Sequence, residues 1–397
     1  MTRTRKALII GGGIAGPVAA LALRRAGIES VICEARTEPA SDTGGMLAIA
    51  PNGLAALGIV GADRAVRAQG QPIRTMIMAD GHGKKIGEFP GLRDLAPNWV
   101  MSRSELSRVL HDQAVGEGIR FDYGRKLVGV EEGRGEVCAR FADGSALSAD
   151  VLIGADGIRS TVRALIDPQA PTPQPVPLLN FGATADIAIE ARPDAMYFVF
   201  GEQAFFGYWL QPDGRTAWFS NLPHAAYMTS AQARAISADQ WLRKLREAYS
   251  SDWPASLLLQ HTAAREFMAL GSMEIMPSLP HWHRGRMVLV GDSAHAPSSS
   301  SGQGASLAVE SAIQLARCLR DVSDVPDAFV VYESLRRTRV QQVAARAAKT
   351  NHTKALGSVA KLLMRLLMPI ATRTFLNAEK ALGAEQRYQI EWDEVVA

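Results

Sequence analysis

Runs of apolar residues broken at regular intervals organise the first third of the chain. Ala7-Leu8-Ile9-Ile10 is an uninterrupted apolar run, the pattern of a parallel strand buried on both faces. The Ala/Leu-rich stretch 17–25 reads as a helix, and Ser30-Val31-Ile32-Cys33 as a second strand. Strand and helix patterns alternate in this way to about residue 70. A short strand end and a helix starting near Ser102 or Ser104 occupy 98–114. Strand patterns follow at 121–129, 136–142 and 146–149, with Ala142-Asp143-Gly144 as a turn. Val151-Leu152-Ile153-Gly154 is again an apolar run of the buried parallel type.

The rhythm changes at Asp167-Pro168, where prolines cluster through Pro177. Beyond them, 178–189, 196–200, 204–210 and 216–221 read as strands, and Pro212-Asp213-Gly214 turns the last pair. A helical pattern at 237–250 follows. The apolar run Met287-Val288-Leu289-Val290 then reopens the parallel sheet, a long helix begins near Ala305, and 326–397 reads almost entirely helical. The fold class expected is α/β: a doubly wound, Rossmann-like unit made of 1–72, 98–175 and 276–325, interrupted by an antiparallel sheet domain of 73–97 and 176–275, with a helical C-terminal segment 326–397.

At 397 residues the chain is longer than one core usually serves, and its 47% hydrophobic content suffices for two. Lys and Arg number 43 against 40 Asp and Glu, and they are scattered, whereas a nucleic-acid binder needs a clustered basic face. The three cysteines, Cys33, Cys138 and Cys318, have no pairing or metal-ligand spacing, which fits a reducing cytoplasm. Two segments imitate membrane elements. Residues 2–10 resemble a secretory signal, but no cleavage site follows. The apolar stretch 360–370 is interrupted by Lys361 and Arg365 and is too short to span a bilayer, so an amphipathic helix without stable membrane insertion is expected.

Candidate chemistry begins with Gly11-Gly12-Gly13-Ile14-Ala15-Gly16, between the first strand and first helix. Gly11 permits the turn, Gly13 clears the approach of a pyrophosphate, and Gly16 lets helix and strand pack closely. Helix N–H groups, Ala15 among them, then face the phosphates. Glu34 ends the second strand near the spacing of the acid that binds ribose hydroxyls, which favours an unphosphorylated ribose, hence FAD or NAD over NADP. A second cluster, Gly291-Asp292-Ser293-Ala294-His295, precedes Gly302-Gln303-Gly304-Ala305-Ser306. His295 reads as a structural donor to neighbouring backbone, and Trp282 with His281 and His283 as decoration of a loop. No histidine pair has zinc-ligand spacing, so no metal is expected.

The Gly11–Gly16 loop, Arg103 in Met101-Ser102-Arg103-Ser104-Glu105-Leu106, Gly154-Ala155-Asp156-Gly157, and Gly291-Asp292 stand in the order found in a known family. Over nearly its whole length the chain resembles the group A flavoprotein monooxygenases of the p-hydroxybenzoate hydroxylase type. Gly302-Gln303-Gly304-Ala305-Ser306-Leu307-Ala308 looks most like the salicylate and 3-hydroxybenzoate hydroxylase-like branch. The resemblance implies that Glu34 binds the adenosine ribose, Arg36 lies beside adenine, and Leu127 offers adenine backbone contacts. Arg103 is implied at the FAD pyrophosphate or flavin edge, and Asp292 at the ribityl hydroxyls. Backbone N–H groups from Gly302 to Ser306 are implied at flavin N1 and O2. Asp156, with Ser160 and Arg163 behind it, resembles a motif associated with both FAD and NAD(P)H, and is also expected to pin its loop by hydrogen bonds. Two positions depart from the pattern: Ser299 stands where many members have proline, and Ser306 where asparagine is frequent.

The resemblance further implies FAD as cofactor, NADH or NADPH as co-substrate, and O₂. A small aromatic or polycyclic substrate would be hydroxylated through a flavin C4a-hydroperoxide, by a monomer or homodimer. For the substrate pocket, period-two alternation puts Phe206 and Tyr208 on one sheet face and Phe205 and Trp209 on the other. Phe206 and Tyr208 are taken as pocket walls, with Met46 from the loop after Gly44-Gly45, and Ser299 on the flavin side. Other readings remain open at this point: a flavin-dependent reductase or desaturase, epoxidation or Baeyer–Villiger chemistry, and a non-catalytic flavin- or ligand-binding protein.

Overall fold

The computed structural model describes residues 5–39, 44–354 and 379–396. Lys6–Ile10 lies inside a six-stranded sheet whose order is His283–Arg284, Met287–Leu289, Val151–Gly154, Lys6–Ile10, Glu29–Cys33, Arg120–Asp122. All neighbours pair in parallel except the outer His283–Arg284 hairpin strand. The apolar runs account for this position, because Ala7 to Ile10 and Val151 to Gly154 are buried on both faces. One face carries helices Ala15–Arg25 and Gly304–Asp321 against each other. The antiparallel trio Leu127–Glu132, Val137–Phe141 and Ala146–Ala149 packs against strands Lys6–Ile10 and Val151–Gly154 of this sheet.

A seven-stranded sheet forms the second layer system, in the order Met268–Ile275, Gln174–Ala185, Thr216–Pro223, Phe205–Leu210, Ala195–Phe200, Thr75–Asp80, Lys85–Pro90. It is antiparallel apart from Thr75–Asp80, which runs parallel to Ala195–Phe200. A strand arriving from residue 75, far earlier in the chain, enters the sheet without the hairpin that would force the antiparallel direction. Helices Ala238–Ala248 and Ala255–Gln260 cover one face with Trp241, Leu242, Leu245, Leu258 and Leu259. The opposite face meets a small sheet of Met46–Ile49, Asn98–Ser102 and Gln71–Ile73, where Trp209 and Ala217 pack with Val100 and Ile73.

Two expectations change. The segment 121–129 is two strands separated by a turn, not one. Helix Val325–Lys354 is followed, after residues outside those described, by short helical turns at Glu379–Gly383 and Ala384–Gln386. From Arg387 to Val396 the chain is not helical. Its backbone is held instead by arginines of helix Gly304–Asp321: Arg317 donates to Glu394 O, and Arg320 to Trp392 O. The 360–370 stretch lies outside the described residues. Among the described residues, no helix is long and apolar enough to cross a membrane.

Candidate active site

The glycine-rich turn is built by close contact. A Cβ on Gly11, where φ is +108°, would lie 2.5 Å from Ala155 O, and one on Gly16 would lie 2.0 Å from Gly11 O. These two glycines let the first strand, the first helix and the Ala155 loop touch. Gly13 differs: no atom lies within 4 Å of its Cβ position, so its backbone faces open space. Gly11 N donates to Cys33 O and Gly12 N to Glu34 Oε2 at 2.7 Å. The amides of Gly13, Ile14, Ala15 and Gly16 have no acceptor among the described residues, as expected of a helix start. Pro17, lacking an N–H, leaves no further orphan.

Beside this turn opens a cleft of about 450 Å³ lined by Gly12, Glu34, Arg36, Ser104, Arg108 and Tyr123, among others. Glu34 and Arg36 therefore line the same cleft as Gly12. Leu127 does not line it; its side chain is buried in the core. The far wall is the face of helix Arg103–Gly116 carrying Ser104, Ser107, Arg108, His111 and Asp112. Residue-by-residue reading overlooked this wall. Its signal is a polar stripe at intervals of three and four that begins at Ser104, just inside the capping residue Ser102. Ser102 Oγ accepts from Glu105 N while Ser102 N donates to Glu105 Oε2, so the helix start is fixed without Arg103.

Arg103 is consequently free to reach across the site, where Nη2 stands 4.0 Å from Asp292 Oδ2. Both side chains are partly exposed there. Burial raises the Asp292 carboxyl above its ordinary range, against the opposing pull of Arg103. Met46, paired with Ser102, sits at the same rim and is exposed, and Ser299 is an exposed residue of a short turn.

The second glycine cluster narrows the donor set. Gly302 N donates to Ser299 O and Gln303 N to Ser301 Oγ, so these two amides are already bonded. The expectation of five donors from Gly302 to Ser306 is corrected to three, Gly304, Ala305 and Ser306, whose amides have no acceptor among the described residues. The serine run consumes the other two. No atom lies within 4 Å of a Cβ on Gly302 or Gly304, so open space faces this helix start too. The Ser306 side chain points away from that space: its hydroxyl accepts from Ala50 N at 3.1 Å and would clash with any Cβ on Gly53.

Asp156 accepts from Ser160 Oγ at 2.5 Å, Thr161 N at 2.7 Å and Val162 N at 3.1 Å, which pins the loop as expected. Burial raises its carboxyl in spite of these bonds. His295 is structural, but its side-chain partner is Ser311 Oγ at 2.8 Å and not backbone. Burial, helped by the charge of Arg336, lowers its pKa to about 3, so it is neutral at physiological pH. Trp282, expected on a loop surface, is buried against His295 with ring centroids 5.3 Å apart.

The proposed pocket walls Phe206 and Tyr208 are corrected. Phe206 stacks on Trp218 and meets Tyr249 edge-on, and Tyr208 stacks on Tyr197, all within the core under the covering helices. The more open face is the other one, which the small sheet covers only in part, at Trp209 and Ala217. Met76 and Met196, Met78 and Phe198, and Phe219 and Met268 occupy it in register, each partly exposed. Leu270 at its edge lies beside Gly45, next to Arg103.

Two glycine clusters facing open space, unpaired amides at two helix starts, a carboxylate at ribose spacing and a cation beside an acid match the donors and acceptors of FAD. The family model described as FAD binding domain matches residues 4–347. The aurachin C monooxygenase/isomerase of Stigmatella aurantiaca is 32% identical over 342 residues, 85% of this chain and 86% of that protein. The 3-amino-4-hydroxybenzoate 2-monooxygenase PtmB3 of Streptomyces platensis is 31% identical, covering 87% of each chain. The crystal structure of Klebsiella pneumoniae HpxO complexed with FAD and uric acid superposes with a TM-score of 0.81 at 24% identity, over 96% of both chains, which shows a shared fold.

Proposed function

The chain belongs to the FAD-dependent aromatic monooxygenase family, and on that premise we propose an NAD(P)H- and O₂-dependent hydroxylase of an apolar aromatic or polycyclic small molecule. FAD is its cofactor. In this reading the amides of Gly13 to Gly16 and Arg103 hold the pyrophosphate, and Glu34 takes the adenosine ribose. Asp292 accepts from the ribityl hydroxyls, and the amides of Gly304, Ala305 and Ser306 stabilise negative charge on the reduced ring. Bound there, FAD supplies electron transfer from the nicotinamide and the activation of O₂ that puts one oxygen atom into the substrate.

The observation that carries the reading is the helix start Gly304–Ser306, where open space faces Gly304 and three amides have no acceptor among the described residues. The substrate class rests on the open sheet face. Its methionines and phenylalanines offer adaptable apolar contact, which suits a planar apolar ring. The division into a discontinuous FAD unit, an interrupting sheet unit and a C-terminal segment is part of the proposal, as are the monomeric or homodimeric state and a cytoplasmic location. Free thiols at Cys33, Cys138 and Cys318 support that location.

The test is anaerobic reduction of the FAD-loaded protein by NADH or NADPH, then ¹⁸O₂, across a panel of phenolic and polycyclic aromatics. A product gaining one ¹⁸O supports hydroxylation. Electron transfer to an organic acceptor without oxygen incorporation makes it a reductase, and tight aromatic binding without stimulated NAD(P)H oxidation makes it a binding protein.

A further inference from the structure

Beneath the second glycine cluster lies a charged network that the proposed chemistry does not use. Glu310, on the helix that starts at Gly304, is fully buried. Its Oε1 accepts from Asn52 Nδ2 at 2.6 Å and Arg339 Nη2 at 2.8 Å, and its Oε2 from Arg336 Nη2 at 2.7 Å and Arg339 Nε at 2.8 Å. Burial alone would raise this carboxyl, but Arg336 and Arg339 hold it below the ordinary range, so it is ionised. Arg339 is itself fixed, donating to Glu385 O with its guanidinium 4.0 Å over the Tyr388 ring.

An ionised carboxylate only accepts hydrogen bonds. Asn52 must therefore turn its nitrogen toward Glu310, and the second hydrogen of Nδ2 goes to Gln303 Oε1 at 2.9 Å. The amide oxygen of Asn52 is left buried with no partner. That oxygen stays unsatisfied because flipping the amide would set it against the Glu310 carboxylate. With its own oxygen held inward, Gln303 has one committed orientation. Its Nε2 then has no acceptor among the described residues, although the residue is 2% exposed and stands between two glycines that face open space.

We infer that Asn52, locked by Glu310, is a positioning residue that holds the Gln303 side-chain amide as an additional hydrogen-bond donor to bound FAD. The inference rests on the proposed FAD site. A donor at the ring stabilises the charged, reduced state more than the neutral oxidised one, so its effect is read in the flavin midpoint potential. Activity need not be measured.

The experiment is spectroelectrochemical titration of FAD-loaded wild type, Asn52→Ala, Gln303→Ala and the double variant. Each single variant is expected to weaken reduced-flavin stabilisation about tenfold, a fall of about 30 mV for a two-electron couple. The double variant should fall no further, because both changes remove one donor. Additive shifts, or an Asn52→Ala potential equal to wild type, overturn the inference while leaving the FAD reading intact. A second measurement keeps the wild-type chain. The ¹⁵N resonance of Gln303 Nε2, identified by its loss in Gln303→Ala, should move on flavin reduction, and an unmoved resonance overturns the inference. A wild type that takes up no FAD overturns both.

Discussion

Arg103 and Asp292, far apart in the sequence, face each other at 4.0 Å across the mouth of the proposed cofactor site. Neither is needed to hold its own element. The helix behind Arg103 is capped by Ser102 and Glu105, and the turn around Asp292 is closed by backbone bonds from Ala294 N and His295 N to Gly291 O. A cation that no local structure requires, standing at the rim beside an acid, is available to a phosphate.

Replacing Arg103 by Ala should therefore weaken FAD and spare the fold. A charge-assisted hydrogen bond contributes about 1.5–3 kcal/mol, so affinity should fall between about tenfold and a hundredfold. Arg103→Lys should recover only part of this, since a point charge cannot make the forked contact of a guanidinium. Fluorescence titration of the apoprotein with FAD, beside a thermal melt, checks both halves. A melt that falls with affinity would assign Arg103 to structure.

The glycines of the first loop should divide in the same way. Gly13→Val fills empty space and is expected to leave a folded protein that no longer binds FAD. Gly16→Ala drives a Cβ to within 2.0 Å of Gly11 O, which forces helix and strand apart. It should destabilise the apoprotein by about 1–3 kcal/mol. Denaturant melts of the two apoproteins separate the outcomes, and equal stability would contradict the contact geometry.

Much of this site was legible in the sequence because its parts are local. Glycine positions, apolar runs and the acid at Glu34 constrain backbone within a few residues, and the structure has the strands and helix starts where those patterns put them. What stayed hidden depends on distant partners. Alternation sorted Phe206 and Tyr208 from Phe205 and Trp209, but only the helices at 238–260 decide which face is covered. The bonding of Gly302 and Gln303 amides to Ser299 and Ser301 is a property of the folded turn, invisible in the spacing of the motif. Asn52, Glu310 and Arg339 lie on three separate helices and carry no common motif.

The two sheet faces lead to opposite outcomes for aromatic deletion. Phe206 is fully buried between Trp218 and Tyr249, so Phe206→Ala should cost about 3–5 kcal/mol and lower the melting temperature without altering ligand preference. Phe219, partly exposed on the open face, should cost less on truncation. Phe219→Ala should instead change which aromatics stimulate NAD(P)H oxidation. Stability curves beside a substrate panel decide it. A Phe206→Ala protein of normal stability but altered ligand preference would restore Phe206 to the pocket.

Acid should destabilise the protein through His295. Its side chain is buried against Trp282 and Ser311, with the positive charge of Arg336 and the negative charge of Glu310 on the facing helices, and its pKa falls from 6.5 to about 3. Between those values the unfolded chain binds a proton that the folded chain does not, so stability rises with pH across the window and is lost as pH drops below 6.5. The slope is about 1.4 kcal/mol per pH unit while the histidine alone titrates. Glu310 adds to the loss at lower pH: its folded pKa is depressed, so its contribution is present above the unfolded value and disappears as pH falls through the folded one. His295→Gln keeps a polar partner for Ser311 but cannot titrate. Urea melts between pH 7 and pH 5 should show the wild type losing more stability than His295→Gln, whose smaller residual slope is left to His283, a second histidine lowered by burial. Parallel slopes in the two proteins would mean that His295 titrates normally in the folded state.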